Sequence, residues 1–310
     1  RLARGLPLGF FLGLNTLFFE PGLLFRILLC LKSGEIGGLL RLVFVLGAGG
    51  FARRRRIVLW TTLALCFGVL GYFKYFNVIL CNLHLATDPH SLGILLPLGI
   101  SFYTLQATGY LIDTYNQKIE PQRNFAQYLL FVSYFPQIIQ GPINKFGELS
   151  GQLTTPHAAD ATSMRRGLLR LGYGVLKKMA IANVLSLAVY IVFSDTNTKT
   201  MPGILAIYGV LVYSLQMYAD FSGGIDIVEG VSELFGIRMA QNFCQPYFSV
   251  SLADFWRRWH MSLGAWMRDY VFYPLAVTSP SRRFGKWAGK RLGRHAGRTL
   301  PACVANIIVF

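Results

Sequence analysis

SLGILLPLGISFYTLQATGYLI, residues 91 to 112, runs for 22 residues without an Asp, Glu, Lys or Arg. A helix of that length and apolarity can cross the hydrocarbon core of a bilayer. Phe125 to Asn144 and Thr200 to Ala219 are uncharged over 20 residues each, Ile57 to Phe73 is a little shorter, and Met179 to Ser194 is borderline. Of the 310 residues, 53% are hydrophobic and only 14% charged. Mean hydropathy is +0.44, outside the range of an ordinary soluble domain. The expected fold class is therefore all-α, a polytopic helical membrane protein.

Net charge is +16, from 30 Lys and Arg against 14 Asp and Glu, and the basic residues cluster between the hydrophobic runs. That pattern fits loops facing an anionic cytoplasmic leaflet and argues against a nucleic-acid partner. Arg53 to Arg56 precede a span, and the following loop, Cys81 to Ser91, has no Lys or Arg. The positive-inside rule puts the arginines in the cytoplasm, residues 81 to 91 outside, and Asp113, Lys118 and Arg123 inside again. Phe125 to Ile143 holds Pro136 and the pair Gly141 and Pro142, with positive charge on both flanks. It reads either as a re-entrant piece, which would require a cavity, or as a kinked span with a positive outer loop. Lys177 and Lys178 begin a further span, Asp195 to Lys199 form a short outer loop, and Thr200 to Ala219 returns.

That returning span ends in Gln216, Tyr218, Asp220, Ser222 and Asp226. Ionisable residues at such depth are functional candidates, although Asp220 could equally cap the next segment. Residues 1 to 50 are broken by Arg26, Lys32, Glu35 and Arg41 into short pieces and carry no motif. Five scattered cysteines, Cys30, Cys66, Cys81, Cys244 and Cys303, read as small buried hydrophobes, with neither a disulfide frame nor a metal site implied. His84 and Asp88 match HxxxD by chance, and no nucleotide-binding loop, zinc motif or serine elbow occurs.

The chemistry concentrates in SLADFWRRWHMSLGAWMRDYVFYP, Ser251 to Pro274. Ser251 and Asp254 form a capping-box start, and Pro274 is the expected stop. On a helical period Trp256, Trp259, His260, Leu263, Trp266, Met267 and Tyr270 share a face, opposite Arg257, Arg258, Ser262, Arg268 and Asp269. A histidine among tryptophans is partly desolvated, which favours the neutral form a general base needs. The plainer reading is an interfacial amphipathic helix. Beyond it, Arg282, Arg283, Lys286, Lys290, Arg291, Arg294 and Arg298 form a basic cytoplasmic loop, read as an orientation signal with headgroup contact, or as a dock for an acidic partner or a cofactor's phosphates.

Together these residues resemble the membrane-bound O-acyltransferase family, in its bacterial branch of alginate O-acetylation and teichoic-acid D-alanyl transfer. The matching strings are GYFKYFN (71 to 77), LLPLGISFYTLQATGYLIDTY (95 to 115), FVSYFPQIIQGPI (131 to 143), QMYADFSGGIDI (216 to 227) and NFCQPYFSVSLADFWRRWHMSLGAWMRDYVFYPL (242 to 275). The resemblance implies a ring of tilted helices around a tunnel, a donor presented from the cytoplasm and an acceptor hydroxyl reached from outside. It implies one important histidine at His260 and a second in a later WHG motif, absent here, so that this piece is expected not to turn over. Trp256, Arg258 and Trp259 would shape the donor wall, with Asp220 and Gln245 as weaker candidates. His260 would orient the donor or assist proton movement.

The implied organisation is a weakly matched N-terminal region over 1–56, a core over 57–275, the basic loop over 276–300 and the start of a truncated span over 301–310. The expected activity is transfer of an acyl group, foremost acetyl, from a thioester to a cell-surface polysaccharide at the bacterial plasma membrane. D-alanyl transfer to teichoic acid, a transporter, and a non-catalytic scaffold docking an acidic carrier are the alternatives. No bound cofactor is expected. Acyl-CoA or an acyl carrier would be the donor, with membrane lipids and an extracellular helper acyltransferase as further partners.

Overall fold

The computed structural model describes residues 55–83, 97–157, 160–194 and 201–309, and no strand occurs among these described residues. Five helices come first: α1 (Arg55–Asn82), α2 (Ile100–Tyr115), α3 (Phe125–Val132), α4 (Phe135–Gln140) and α5 (Phe146–Thr154). Next, α6 (Ala161–Val175) continues through a π-helical stretch, Leu176–Ala182, into α7 (Asn183–Phe193), and α8 (Gly203–Leu234) follows. A 3-10 turn at Pro246–Phe248 leads to α9 (Leu252–Arg258), α10 (Met261–Met267), a π-turn at Arg268–Phe272 and α11 (Tyr273–Ala276). The last two are α12 (Ser279–Leu292) and α13 (Arg294–Val309).

Among the described residues, three stretches are long and apolar enough to cross a membrane: Leu59–Phe76, Ala161–Phe193 and Gly203–Leu234. Their outer faces carry exposed Trp60, Val184, Tyr190 and Ile204, a surface suited to lipid. The helices fall into two compact units. One comprises the described residues up to Gly141, Lys145–Met164 and Val231–Ile237; the other comprises Pro142–Asn144, Arg165–Gly230 and Arg238–Phe310.

In the first unit, only the part of 91–112 from Pro97 onward is described. Residues 84–96, with His84 and Asp88, lie outside the described residues, and α2 begins only at Ile100, behind Pro97 and a left-handed Gly99. Most of α2 is buried, because Tyr110 packs 4.9 Å from Tyr128 of α3 and 4.8 Å from Phe146 of α5. Phe125 to Asn144 is broken into helices of 8 and 6 residues. The Asn124 side chain accepts the Ala126 N–H at 2.9 Å to start α3, and Gly141 ends α4 where a β-carbon would lie 2.5 Å from Gln137 Cα.

The second unit corrects the placement of the charged residues. Arg165, Arg166 and Arg170, read as charge flanking the preceding segment, and Lys177 and Lys178, expected to begin a span, all lie inside the 33-residue helical run Ala161–Phe193. Asp220 is neither a span end nor a cap, since α8 is 32 residues long and continues to Leu234. These charges meet one another. Lys178 bonds Asp220 at 2.7 Å, Lys177 bonds Asp226 at 2.6 Å and Ser222 at 3.3 Å, and Arg170 bonds Asp226 at 3.1 Å and also Glu229. Pairing offsets the several kcal/mol that an isolated charge costs in an apolar span. Glycines bring the backbones close enough for these short contacts. A β-carbon on Gly174 would stand 2.6 Å from the Gly223 carbonyl, and one on Gly230 would stand 2.8 Å from that of Gly167.

The expected basic loop over 276–300 is helical instead, and it continues past Pro301 into α13. Thr278 starts α12 by accepting the Ser281 N–H at 3.4 Å. Among the cysteines, Cys66 is buried as expected, but Cys244 and Cys303 are exposed; Cys30 lies outside the described residues.

Gly223→Leu should force α6 and α8 apart and cost about 1–3 kcal/mol, the usual penalty of overpacking. Gly172→Ala in α6, whose added carbon meets nothing within 4 Å, should leave the unfolding midpoint in detergent unchanged or raise it.

Candidate functional site

Ser251 starts α9 as its sequence predicts, its hydroxyl accepting the Asp254 N–H at 3.2 Å. The Asp254 carboxylate accepts the Val250 N–H and pairs with Arg258 at 2.9 Å. The expected single helix from Ser251 to Pro274 then breaks. Trp259 is extended, and His260 adopts a left-handed conformation with φ 46° and ψ 52°. Such a backbone costs a non-glycine residue on the order of 1 kcal/mol or more, so neighbouring bonds must hold it. Pro274 does not stop the chain either, because it sits in the first turn of α11, where proline is tolerated.

The break is held by residues 242–244, which run beside it. Cys244 N–H donates to the Arg258 carbonyl at 3.0 Å, and Met261 N–H donates to the Asn242 carbonyl at 2.9 Å. Asn242, fully buried, then gives its side-chain oxygen to three donors. The Ser262 N–H reaches Asn242 Oδ1 at 3.2 Å, the Ser262 hydroxyl at 2.9 Å, and His260 Nδ1 at 2.9 Å. Ser262 Oγ in turn accepts the Ile143 N–H at 3.0 Å.

This network fixes the chemistry of the imidazole. A backbone N–H can only donate, so the Asn242 atom facing Ser262 must be the amide oxygen. His260 Nδ1, facing that same oxygen, must therefore carry the hydrogen. Nε2 keeps its lone pair and is the proton acceptor. His260 lies outside the candidate spans, and burial pushes its pKa from the ordinary 6.5 down to about 4. At neutral pH the ring is uncharged.

An aromatic wall backs it. Phe221 meets the His260 ring edge-on at 4.9 Å, and Trp259 packs against Phe243 at 5.1 Å, Phe255 at 5.6 Å and Tyr218 at 6.0 Å. Tyr218 also lies 5.9 Å from the Lys177 ammonium, which ties the wall to the ion pairs between α6 and α8.

Of the sequence-expected site residues, His260 and Trp259 come together. Trp256 is more than half exposed and touches Phe255, and Arg258 is engaged with Asp254. Asp220 is held by Lys178, and exposed Gln245 turns the chain in a left-handed conformation before Pro246. None of Trp256, Asp220 and Gln245 makes a hydrogen bond or ring contact with His260 among the described residues. Asn242, Ser262, Phe221 and Phe243 were not singled out by sequence. A buried asparagine 18 residues before the histidine shows no local period that would link the two.

Residues 117–288 match the sequence model of the membrane-bound O-acyltransferase family. Among curated proteins, the chain is 36% identical over 79% of its length to a probable alginate O-acetylase of Pseudomonas syringae, covering 47% of that protein. It is 35% identical over 70% of its length to a peptidoglycan O-acetyltransferase of Helicobacter pylori, covering 46% of it. Identity to a teichoic acid D-alanyltransferase of Bacillus subtilis is 31%, over 66% of this chain and 50% of the relative. The chain thus spans about half the length of the curated relatives it matches.

Stability should rise with pH between about 4 and 6.5, because in that window the unfolded imidazole binds a proton that the folded one does not. His260→Gln should flatten this part of the profile relative to the unsubstituted protein, read as unfolding midpoint against pH. Asn242→Asp places an anion beside Nδ1, favours the imidazolium and should raise the lower edge of the window toward 6.5, narrowing it. An unchanged profile in either variant would contradict the assigned network.

Proposed function

The chain belongs to the membrane-bound O-acyltransferase family, and from that premise we propose that it moves an acyl group, acetyl first of all, from a cytoplasmic thioester to hydroxyls of a cell-surface polysaccharide. The proposed setting is the bacterial plasma membrane, with the helices ringing a tunnel between donor and acceptor. The observation that carries the reading is His260, held neutral with Nδ1 on Asn242 and Nε2 free to accept a proton.

In such a transfer the acceptor oxygen forms a bond to the acyl carbon while the carbon–sulfur bond breaks. The hydroxyl proton has to leave the oxygen and the thiolate has to gain one. A neutral Nε2 can take part in that movement, and the rigid network of Asn242 and Ser262 keeps it from turning away. Trp259 and the aromatic residues behind it exclude water from one side of the ring. Trp256 and Arg258 are proposed for the donor wall, and Asp220 and Gln245 for outlying roles. The donor is an acyl-CoA or an acyl carrier, and an extracellular helper completes the set of proposed partners.

Likeness to a teichoic acid D-alanyltransferase supports a second reading, in which D-alanine replaces acetate. One experiment addresses both. In cells producing the protein as encoded, His260→Ala should lower ester-linked acyl content of the surface polymer by about a hundredfold or more, the usual size of acid–base assistance. Mass spectrometry of the released ester tells acetate from D-alanine. Unchanged ester content at equal protein level would remove His260 from the reaction.

A further inference from the structure

The helical hairpin of α12 and α13 carries a basic cleft whose lining shares no residue with the His260 network. No Asp or Glu occurs after Asp269, while Arg282, Arg283, Lys286, Lys290, Arg291, Arg294 and Arg298 all do. The spacing of Arg282, Lys286 and Lys290 puts them on one stripe of α12. With Arg294 from α13 they line a cleft of about 690 Å³, floored by Gly285, Gly289 and Gly297. The floor is low because the two helices touch there. A β-carbon on Gly297 would stand 2.7 Å from Gly289 Cα and 2.8 Å from the Gly285 carbonyl.

Nothing in the described residues neutralises this cleft. Lys286, Lys290 and Arg294 have no carboxylate partner among the described residues, and Arg282 spends only its Nε on the Val277 carbonyl at 2.9 Å. The cleft also holds an unpaired neutral donor, since the Ser281 hydroxyl oxygen is buried with no hydrogen-bond partner. Ser281 lies in the first turn of α12, where the helix dipole adds to the positive field. Four cations, an orphan hydroxyl and a helix start are a receptor for a phosphate ester.

Apolar surface beside the cleft decides the source of that phosphate. Phe284 and Trp287 stack at 5.7 Å on α12, Arg291 lies 5.8 Å over the Trp287 ring, and Trp287 and Leu292 are at least half exposed. A soluble phosphate ester has no use for exposed tryptophan and leucine, whereas tryptophan and arginine side by side suit the headgroup level of a bilayer. We propose that this cleft binds the headgroup phosphate of an anionic glycerophospholipid, with Trp287 and Leu292 at the acyl-chain boundary. The site is independent of acyl transfer and stands or falls separately from it.

The test is native mass spectrometry of the intact protein in detergent with phosphatidylglycerol, phosphatidylcholine or glycerol 3-phosphate added. Phosphatidylglycerol should bind, and Lys286→Gln with Lys290→Gln should weaken it on the order of tenfold. Arg283→Gln with Arg165→Gln removes the same charge away from the cleft lining and the Trp287–Arg291 pair and should change it by less than about threefold. All four side chains are exposed, so both variants should fold, which their unfolding midpoints will check. Equal losses in the two variants would overturn the site in favour of general surface charge. An unaffected cleft variant, or phosphatidylcholine binding as well as phosphatidylglycerol, would overturn the assigned residues or the anionic headgroup. Glycerol 3-phosphate binding as tightly as the lipid would overturn the lipid as the source.

Discussion

Asp220, Asp226 and Glu229 are carboxylates within one apolar helix, and α8 can carry them only because Lys178, Lys177 and Arg170 reach them from α6 and the π-helical stretch behind it. Close approach at Gly174, Gly223 and Gly230 makes those reaches short. Neither element is sufficient alone. Glycines without the ion pairs would leave buried charges, and ion pairs across bulkier residues would not close. The π-helical stretch contributes as well, since widening the helix at Leu176–Ala182 lets the adjacent Lys177 and Lys178 both face α8.

What this seam positions is aromatic. Tyr218 and Phe221 lie on α8 among the paired carboxylates, and they form the surface on which Trp259 and His260 rest. The histidine is thus fixed twice, by the wall behind its ring and by the Asn242 oxygen at its Nδ1. A left-handed backbone at His260 is the strained part of this arrangement. The surrounding bonds from Cys244, Met261 and Ser262 offset it, and the strain presents the ring at the junction of two short helices instead of on the side of a long one.

The helical class and the apolar company of His260 were legible because both depend on local composition. Uncharged runs of twenty residues and a histidine set between tryptophans need no knowledge of distant neighbours. The cap at Ser251 was legible for the same reason, being a contact over three residues. Span boundaries were not. Charge in a sequence reads as the end of a span, but Lys177, Lys178, Asp220 and Asp226 neutralise one another across 42 to 49 positions, so the helices run on through them. The basic stretch after Pro274 misled in the opposite sense, since residues without acidic partners still formed a helical hairpin once glycines allowed close packing.

By itself, the sequence determined that this protein is built of helices, that its apolar runs belong in a membrane, and that His260 sits in apolar company. Those follow from hydrophobic content and short-range spacing. Only the tertiary structure decided that the helix breaks at that histidine, which ring nitrogen carries the hydrogen, and which charges are spent on one another. Each of these depends on a hydrogen bond or ion pair between residues far apart in the chain, and only the folded chain brings Asn242 to His260 or Asp226 to Lys177.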